Sequence, residues 1–255
     1  MTKTPTMTGA MTGTILPLEL RDVNFGVGRM RFLKDFTCTF EAGPRTMILG
    51  PNGAGKSLLM RICHGLIKPT TGGVVWRGAN GTAPAIKQAM VFQRPVMLRR
   101  SVLANVLYPL SLGRFPKSEQ SDRAMEALSR TGLKRLAHVS ARVLSFGEQQ
   151  KLALARVWAL KPEVLFLDEP TASLDPSATH AIEEIIEAFH DAGTRIIMTT
   201  HDLGQAKRLG DEVLFLNRGR LLEKAPVAQF FEAPQNDLAQ AFVRGELLWW
   251  KKKDK

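Results

Sequence analysis

Residues 50–57 read Gly-Pro-Asn-Gly-Ala-Gly-Lys-Ser, a glycine-rich turn closed by a lysine and a hydroxyl. Gly50, Gly53 and Gly55 can adopt turn conformations closed to residues that carry a Cβ. A turn from Gly50 through Pro51, Asn52, Gly53 and Ala54 to Gly55 aims successive backbone N–H groups inward, which makes a nest for phosphate oxygens. Lys56 is then placed to reach the β- and γ-phosphates of a nucleotide, and the Ser57 hydroxyl to hold Mg²⁺. By itself this pattern leaves kinases, GTPases and transport ATPases open.

Two further clusters narrow the choice. Val164-Leu165-Phe166-Leu167 is apolar on both faces and runs into Asp168-Glu169-Pro170. In enzymes with such a loop, an aspartate at this strand end lies near the metal, the role expected of Asp168. Successive side chains alternate in direction, so Glu169 is expected to face an attacking water and serve as its general base. Thr199-Thr200-His201-Asp202 places His201 at another strand end, where contact with the γ-phosphate is expected. All three ends belong on the carboxyl edge of one parallel sheet, where open α/β folds bind ligands.

The elements that hold these groups can be read from periodicity. Thr46–Leu49 reads as a strand entering the glycine loop, and Leu58, Leu59 and Ile62 as a helix leaving it. That helix would present its N-terminus to the nucleotide. Leu18 to Phe40 and Val74-Val75-Trp76 read as a small antiparallel sheet. Ser101 to Leu160 is mostly of helical period, with Val102, Leu103, Val106 and Leu107 on one face, continued by Ala124, Leu128 and Leu133. Alternation then resumes. Asp175-Pro176 starts a helix with Ile182, Ile185, Ile186 and Phe189 on one face, Glu183, Glu184 and Glu187 on the other, and Gly193 at its end. Arg195–Thr200 is a strand, Asp202 caps a helix, and 213–222 reads as strand, turn, strand. The expected class is α/β: a parallel-sheet core with an N-terminal antiparallel β subdomain and an inserted helical subdomain. There is no internal repeat, so one nucleotide-binding unit is expected.

Composition sets outer limits. The 255 residues are 44% apolar, enough for a full core, yet no run of about 18 apolar residues encodes a membrane span. Met1 to Thr14 lacks an apolar signal core and reads as a disordered tail, so a cytoplasmic chain is expected. Cys38 and Cys63 have no metal-ligand spacing and read as buried, reduced thiols. The net charge of +11 suits nucleic acid, an anionic membrane surface, or a solvated face. The tail Leu247-Leu248-Trp249-Trp250-Lys251-Lys252-Lys253 fits a membrane interface or, as the plainer reading, a solvated end whose tryptophans pack on the domain.

Leu144-Ser145-Phe146-Gly147-Glu148-Gln149-Gln150 resembles the signature L-S-G-G-Q-Q-Q of ABC transporter ATP-binding subunits. Gln93, Ser173-Leu174-Asp175 and His201 resemble that family's Q-loop, D-loop and switch histidine, over residues 18–225. The resemblance implies domain limits: a tail at 1–15, one ATPase domain at 16–245 with its helical part at about 94–160, and a basic tail at 246–255. It implies ATP and Mg²⁺ as cofactors, with Gln93 helping Ser57 and Asp168 at the metal. It implies a head-to-tail homodimer that forms with ATP, in which Ser145, Gly147 and Glu148, with Asp175 nearby, meet nucleotide bound by the partner subunit. Phe25 stands where the family has an adenine-stacking aromatic. Transmembrane permease subunits are implied as partners, with Met97 and Leu98 docking on them, and a substrate-binding protein indirectly. The implied location is peripheral, on the cytoplasmic face of the membrane, without nucleic acid. Two positions depart from the pattern: Phe146 replaces a glycine, and Glu148 brings a negative charge where Gln is usual. Residues 94–101, 200–206 and 245–249 are most similar to ATPases of tungstate-type oxyanion importers. Molybdate, phosphate and polar amino acid importers are the alternatives. A soluble ABC ATPase acting on nucleic acid usually joins two cassettes or carries a coiled-coil insert, and neither is here.

Overall fold

The structure, a computed structural model, describes residues 14–79, 87–112 and 115–246. The chain opens with Leu18–Val27 (β1) and Met30–Phe40 (β2), then Thr46–Leu49 (β3), helix Lys56–Cys63 (α1), and strands Thr71–Trp76 (β4) and Gln88–Val91 (β5). Helices Val102–Leu112 (α2), Lys117–Arg130 (α3) and Phe146–Leu160 (α4) follow. The alternating half comprises Val164–Asp168 (β6), Pro176–Asp191 (α5), Arg195–Thr199 (β7), Leu203–Leu209 (α6), Glu212–Asn217 (β8), Arg220–Pro226 (β9), Val227–Glu232 (α7) and Asp237–Val243 (α8).

Two sheets result. β2, β1 and β4 form an antiparallel sheet in that order, and β5-β6-β7-β3-β8-β9 forms the larger one. From β5 through β8 the larger sheet is parallel, and β9 closes it antiparallel. Every residue of β3, β6 and β7 is buried, as a central parallel strand requires. Their side chains alternate between two apolar cores. Met47, Leu49, Leu165, Leu167, Ile196 and Met198 face the helical side. Ile48, Val164, Phe166 and Ile197 face the antiparallel sheet and α1. Each large apolar side chain so buried contributes roughly 1.5–3 kcal/mol. α2, α3 and α4 pack on one another and form the inserted helical subdomain.

Three local readings change. Ile15, placed by sequence in the disordered tail, is buried, and its N–H donates to Glu163 Oε2 at 2.7 Å. α3 ends at Arg130, so Leu133 reaches the core from the turn beyond it. Glu183 is not on a solvated face: it is buried and accepts from Gln205 Nε2 at 2.9 Å and Arg208 Nη2 at 2.8 Å. An ion pair to α6 thus allows a carboxylate on the apolar side of α5. Cys38 and Cys63 are buried thiols. Residues 1–13 and the Leu247–Lys253 tail lie outside the described residues.

Candidate nucleotide site

Register brings the chemistry to one edge. In the parallel ladder Ile48 pairs with Thr199, Asp168 with Thr199, and Val91 with Leu167, so β3, β5, β6 and β7 end level. The glycine loop leaves β3 there. Gly50 has φ +147°, and a Cβ at that position would stand 2.1 Å from Leu216 O. Gly55, at φ +102°, is the N-cap of α1 and provides no side-chain cap. The first N–H groups of α1 therefore lack side-chain partners and are available to phosphate oxygens. The turn between β8 and β9 holds the loop from behind. Gly219 N donates to Ala54 O at 2.9 Å, and Lys34 N of β2 donates to Gly219 O at 2.8 Å.

Lys56 is buried, and its Nζ donates to Gly50 O at 2.7 Å and Pro51 O at 3.3 Å. Burial lowers its pKa from the ordinary lysine value, while the Glu169 and Asp168 carboxylates act in the opposite sense. Ser57 Oγ donates to Asp168 Oδ1 at 2.8 Å, and Thr199 Oγ1 donates to the same oxygen at 2.8 Å. Glu169 takes a left-handed backbone, φ +47°, and its N–H donates to Thr199 Oγ1 at 2.9 Å. Its Oε2 lies 3.2 Å from His201 Nδ1 and accepts from Gln93 Nε2 at 3.3 Å. The structure thus gathers Gln93, Glu169 and His201 at one carboxylate oxygen, and Ser57 and Asp168 at another. Ser57 and Asp168 supply the hard oxygen donors that Mg²⁺ takes. Among the described residues no group of three or more His, Cys, Asp or Glu is arranged to hold a metal. Thr199, whose hydroxyl donates to the Asp168 carboxylate and accepts from the Glu169 main-chain N–H, was missed in the sequence, where nothing shows that it lies level with Asp168 on the next strand.

The remaining expected residues lie in separate places. Phe25 is half-buried and lines a surface cavity of about 480 Å³ with Asn24, Arg29 and Thr71. Ser145 is the N-cap of α4. Its Oγ and N–H both donate to Glu148 Oε2 at 2.8 Å, and Glu148 N donates back to Ser145 Oγ at 3.4 Å. The charge of Glu148 is therefore spent on a capping box. Phe146 is half-buried, and a Cβ on Gly147 would stand 3.3 Å from Ala178 Cβ of α5. Asp175 Oδ1 accepts from Ala178 N at 2.9 Å and caps α5.

A glycine loop between β3 and α1, with an Asp-Glu pair ending β6 and a histidine following β7, defines a P-loop nucleoside-triphosphatase core. A family model described as ABC transporter matches residues 33–172. The tungstate uptake system ATP-binding protein TupC of Peptoclostridium acidaminophilum is 41% identical over 72% of this chain and 87% of its own length. The phosphate import ATP-binding protein PstB 2 of Natronomonas pharaonis is 33% identical over 91% of this chain and 88% of its own. The glutamine transport ATP-binding protein GlnQ of Geobacillus stearothermophilus is 33% identical over 89% and 97%. The dimeric, post-hydrolysis structure of the ATP-binding cassette MJ0796 bound to ADP and Pi superposes with TM-score 0.74 at 27% identity, covering 82% of this chain and 98% of that one. The chain belongs to the ABC transporter family, and it is an ATPase that binds ATP.

Proposed function

We propose that this chain is the ATP-hydrolysing subunit of an ABC importer whose cargo is an oxyanion such as tungstate. The observation that carries the ATPase part is the meeting of the glycine loop, the Ser57–Asp168 pair and the Glu169–His201 pair at one sheet edge. In this reading the loop amides of Gly50–Gly55, Lys56 and the start of α1 bind the phosphates, and Phe25 stacks on adenine. Ser57 and Asp168, with Gln93, would hold Mg²⁺, which would supply charge neutralisation to the phosphates. Glu169 takes the proton of the attacking water, and His201 orients Glu169 and meets the γ-phosphate.

Two copies pair head to tail when ATP is bound. Ser145, Gly147 and the N-terminus of α4 then face the nucleotide of the partner subunit, with Asp175 nearby, and Glu148 acts by fixing the Ser145 hydroxyl. Among the described residues no helix is long and apolar enough to cross a membrane, so separate permease subunits carry the cargo. Docking is assigned to the groove of about 390 Å³ lined by Val91, Phe92, Val96, Tyr108, Val157 and Leu160. Val96 is 74% exposed there, whereas Met97 packs partly into the core, which moves the expected docking contact toward Val96. The subunit so placed lies on the cytoplasmic face of the membrane.

Similarity to a tungstate uptake protein and to a phosphate import protein supports the cargo class. The test is a reconstituted transporter: this chain, its permease and its binding protein loaded with tungstate, molybdate, phosphate or glutamine. Stimulation of ATP hydrolysis by tungstate alone is the expected result. Stimulation by glutamine alone would overturn the oxyanion assignment and leave the ATPase standing.

A further inference from the structure

Gln150 is fully buried on α4, yet its Oε1 has no hydrogen-bond partner. A buried orphan acceptor is a cost that an apolar side chain of the same shape would remove. What the glutamine gains is a single bond: Nε2 donates to the main-chain oxygen of Gln93 at 2.9 Å. Gln93 stands in residues 92–100, which join β5 to α2 without helix or strand. Side chains tie this segment down. Arg156, also on α4, donates to Val96 O at 2.9 Å. Asn105 of α2 accepts from Leu98 N at 3.0 Å and donates to Leu98 O at 3.2 Å. Of these ties, the Gln150 bond falls on the residue whose side chain touches Glu169.

We infer that Gln150 is a positioning residue for hydrolysis, because its amide fixes the main chain of Gln93 to α4 so that the Gln93 side chain stands at the Glu169 carboxylate. The inference builds on the assignment of Gln93 and Glu169 given under the proposed function. Three links run in series: Gln150 Nε2 to Gln93 O, Gln93 Nε2 to Glu169 Oε2 at 3.3 Å, and Glu169 Oε2 to His201 Nδ1 at 3.2 Å. Ser145 caps the same helix five residues earlier, so a shift of α4 reaches Gln93 as a body. Small misplacements of groups around a reacting centre cost up to about 100-fold in rate.

The experiment is a cycle on the full chain: Gln150→Met, Gln93→Ala, the double variant and Glu169→Gln, with steady-state ATP hydrolysis and thermal midpoints for each. Gln150→Met is expected to lower kcat about five- to tenfold with KM for ATP within twofold. In the Gln93→Ala background the same change is expected to cost less than twofold more, since the link it feeds is gone. A lowered midpoint with unchanged kcat, or losses that multiply in the double variant, overturns the inference. If Gln150→Met does not fold, Gln150→Leu is read in its place. Glu169→Gln at parent rate would overturn the site assignment and this inference with it. Glu169→Gln inactive and Gln93→Ala slow, with Gln150→Met at parent rate, would overturn this inference alone.

Discussion

Glu169 sits in the left-handed region, with φ +47°, where a residue carrying a Cβ is held at a cost of about 1–3 kcal/mol. What holds it is Thr199: the Glu169 N–H is bonded to both the Thr199 hydroxyl and, at 3.2 Å, its carbonyl oxygen. The turn sends Glu169 toward Gln93 and His201 while Asp168 stays with Ser57. Two adjacent carboxylates thereby get two separate sets of partners. Glu169→Gln keeps the turn and the contact distance but removes the proposed base, so hydrolysis should fall by roughly 100- to 10,000-fold. ATP should still bind, and ATP should then drive the chain into a persistent dimer by mass action. Turnover assays and gel filtration with ATP check both; a monomeric variant with full activity would contradict the role. The sequence made both carboxylates and the histidine legible because each ends an apolar strand. It left Thr199 unread, because a hydroxyl inside an apolar run gives no sign of what lies level with it on the next strand.

At the scale of elements, α4 shows how a departure in sequence can be absorbed locally. Glu148 looked like a negative charge set against phosphate, yet in the folded chain it closes a reciprocal cap on Ser145. Glu148→Ala should cost about 1 kcal/mol and lower the thermal midpoint by roughly 2–4 °C. Calorimetry checks this, and a rise in stability would argue that charge repulsion outweighs the cap. The strands of the alternating half and the helix starts at Asp175 and Asp202 were legible because continuous apolar runs and caps are local signals. The face of α5 was misjudged at Glu183 because its partners, Gln205 and Arg208, lie on α6 some 20 residues further along the chain. Pairing at that range leaves no trace in helical periodicity.

For the whole molecule, the two sheets enclose a core in which the thiols are inert. Burial pushes Cys38 up to about 11 and raises Cys63 as well. Both stay protonated at pH 8, so a thiol reagent should label the folded chain far more slowly than the unfolded one. The linkage has a definite sign. Above the unfolded thiol value of 9.0 the unfolded chain holds fewer protons than the folded one, so stability falls as pH rises from there toward 11. Fast labelling of native protein at pH 8 would contradict the burial. Outside this core, the turn at Gly219 bonds at once to Ala54 in the nucleotide loop and to Lys34 in the antiparallel sheet. A Cβ there would stand 2.1 Å from Phe32 O. Gly219→Ala should therefore weaken nucleotide affinity about tenfold or more in a chain that still folds, as titration with a fluorescent ATP analogue would report. For a geneticist this makes the hairpin a distant allele of the ATP site: revertants of Gly219→Ala should map to 32–34, where the displaced backbone can be given room, and not to the glycines of the loop.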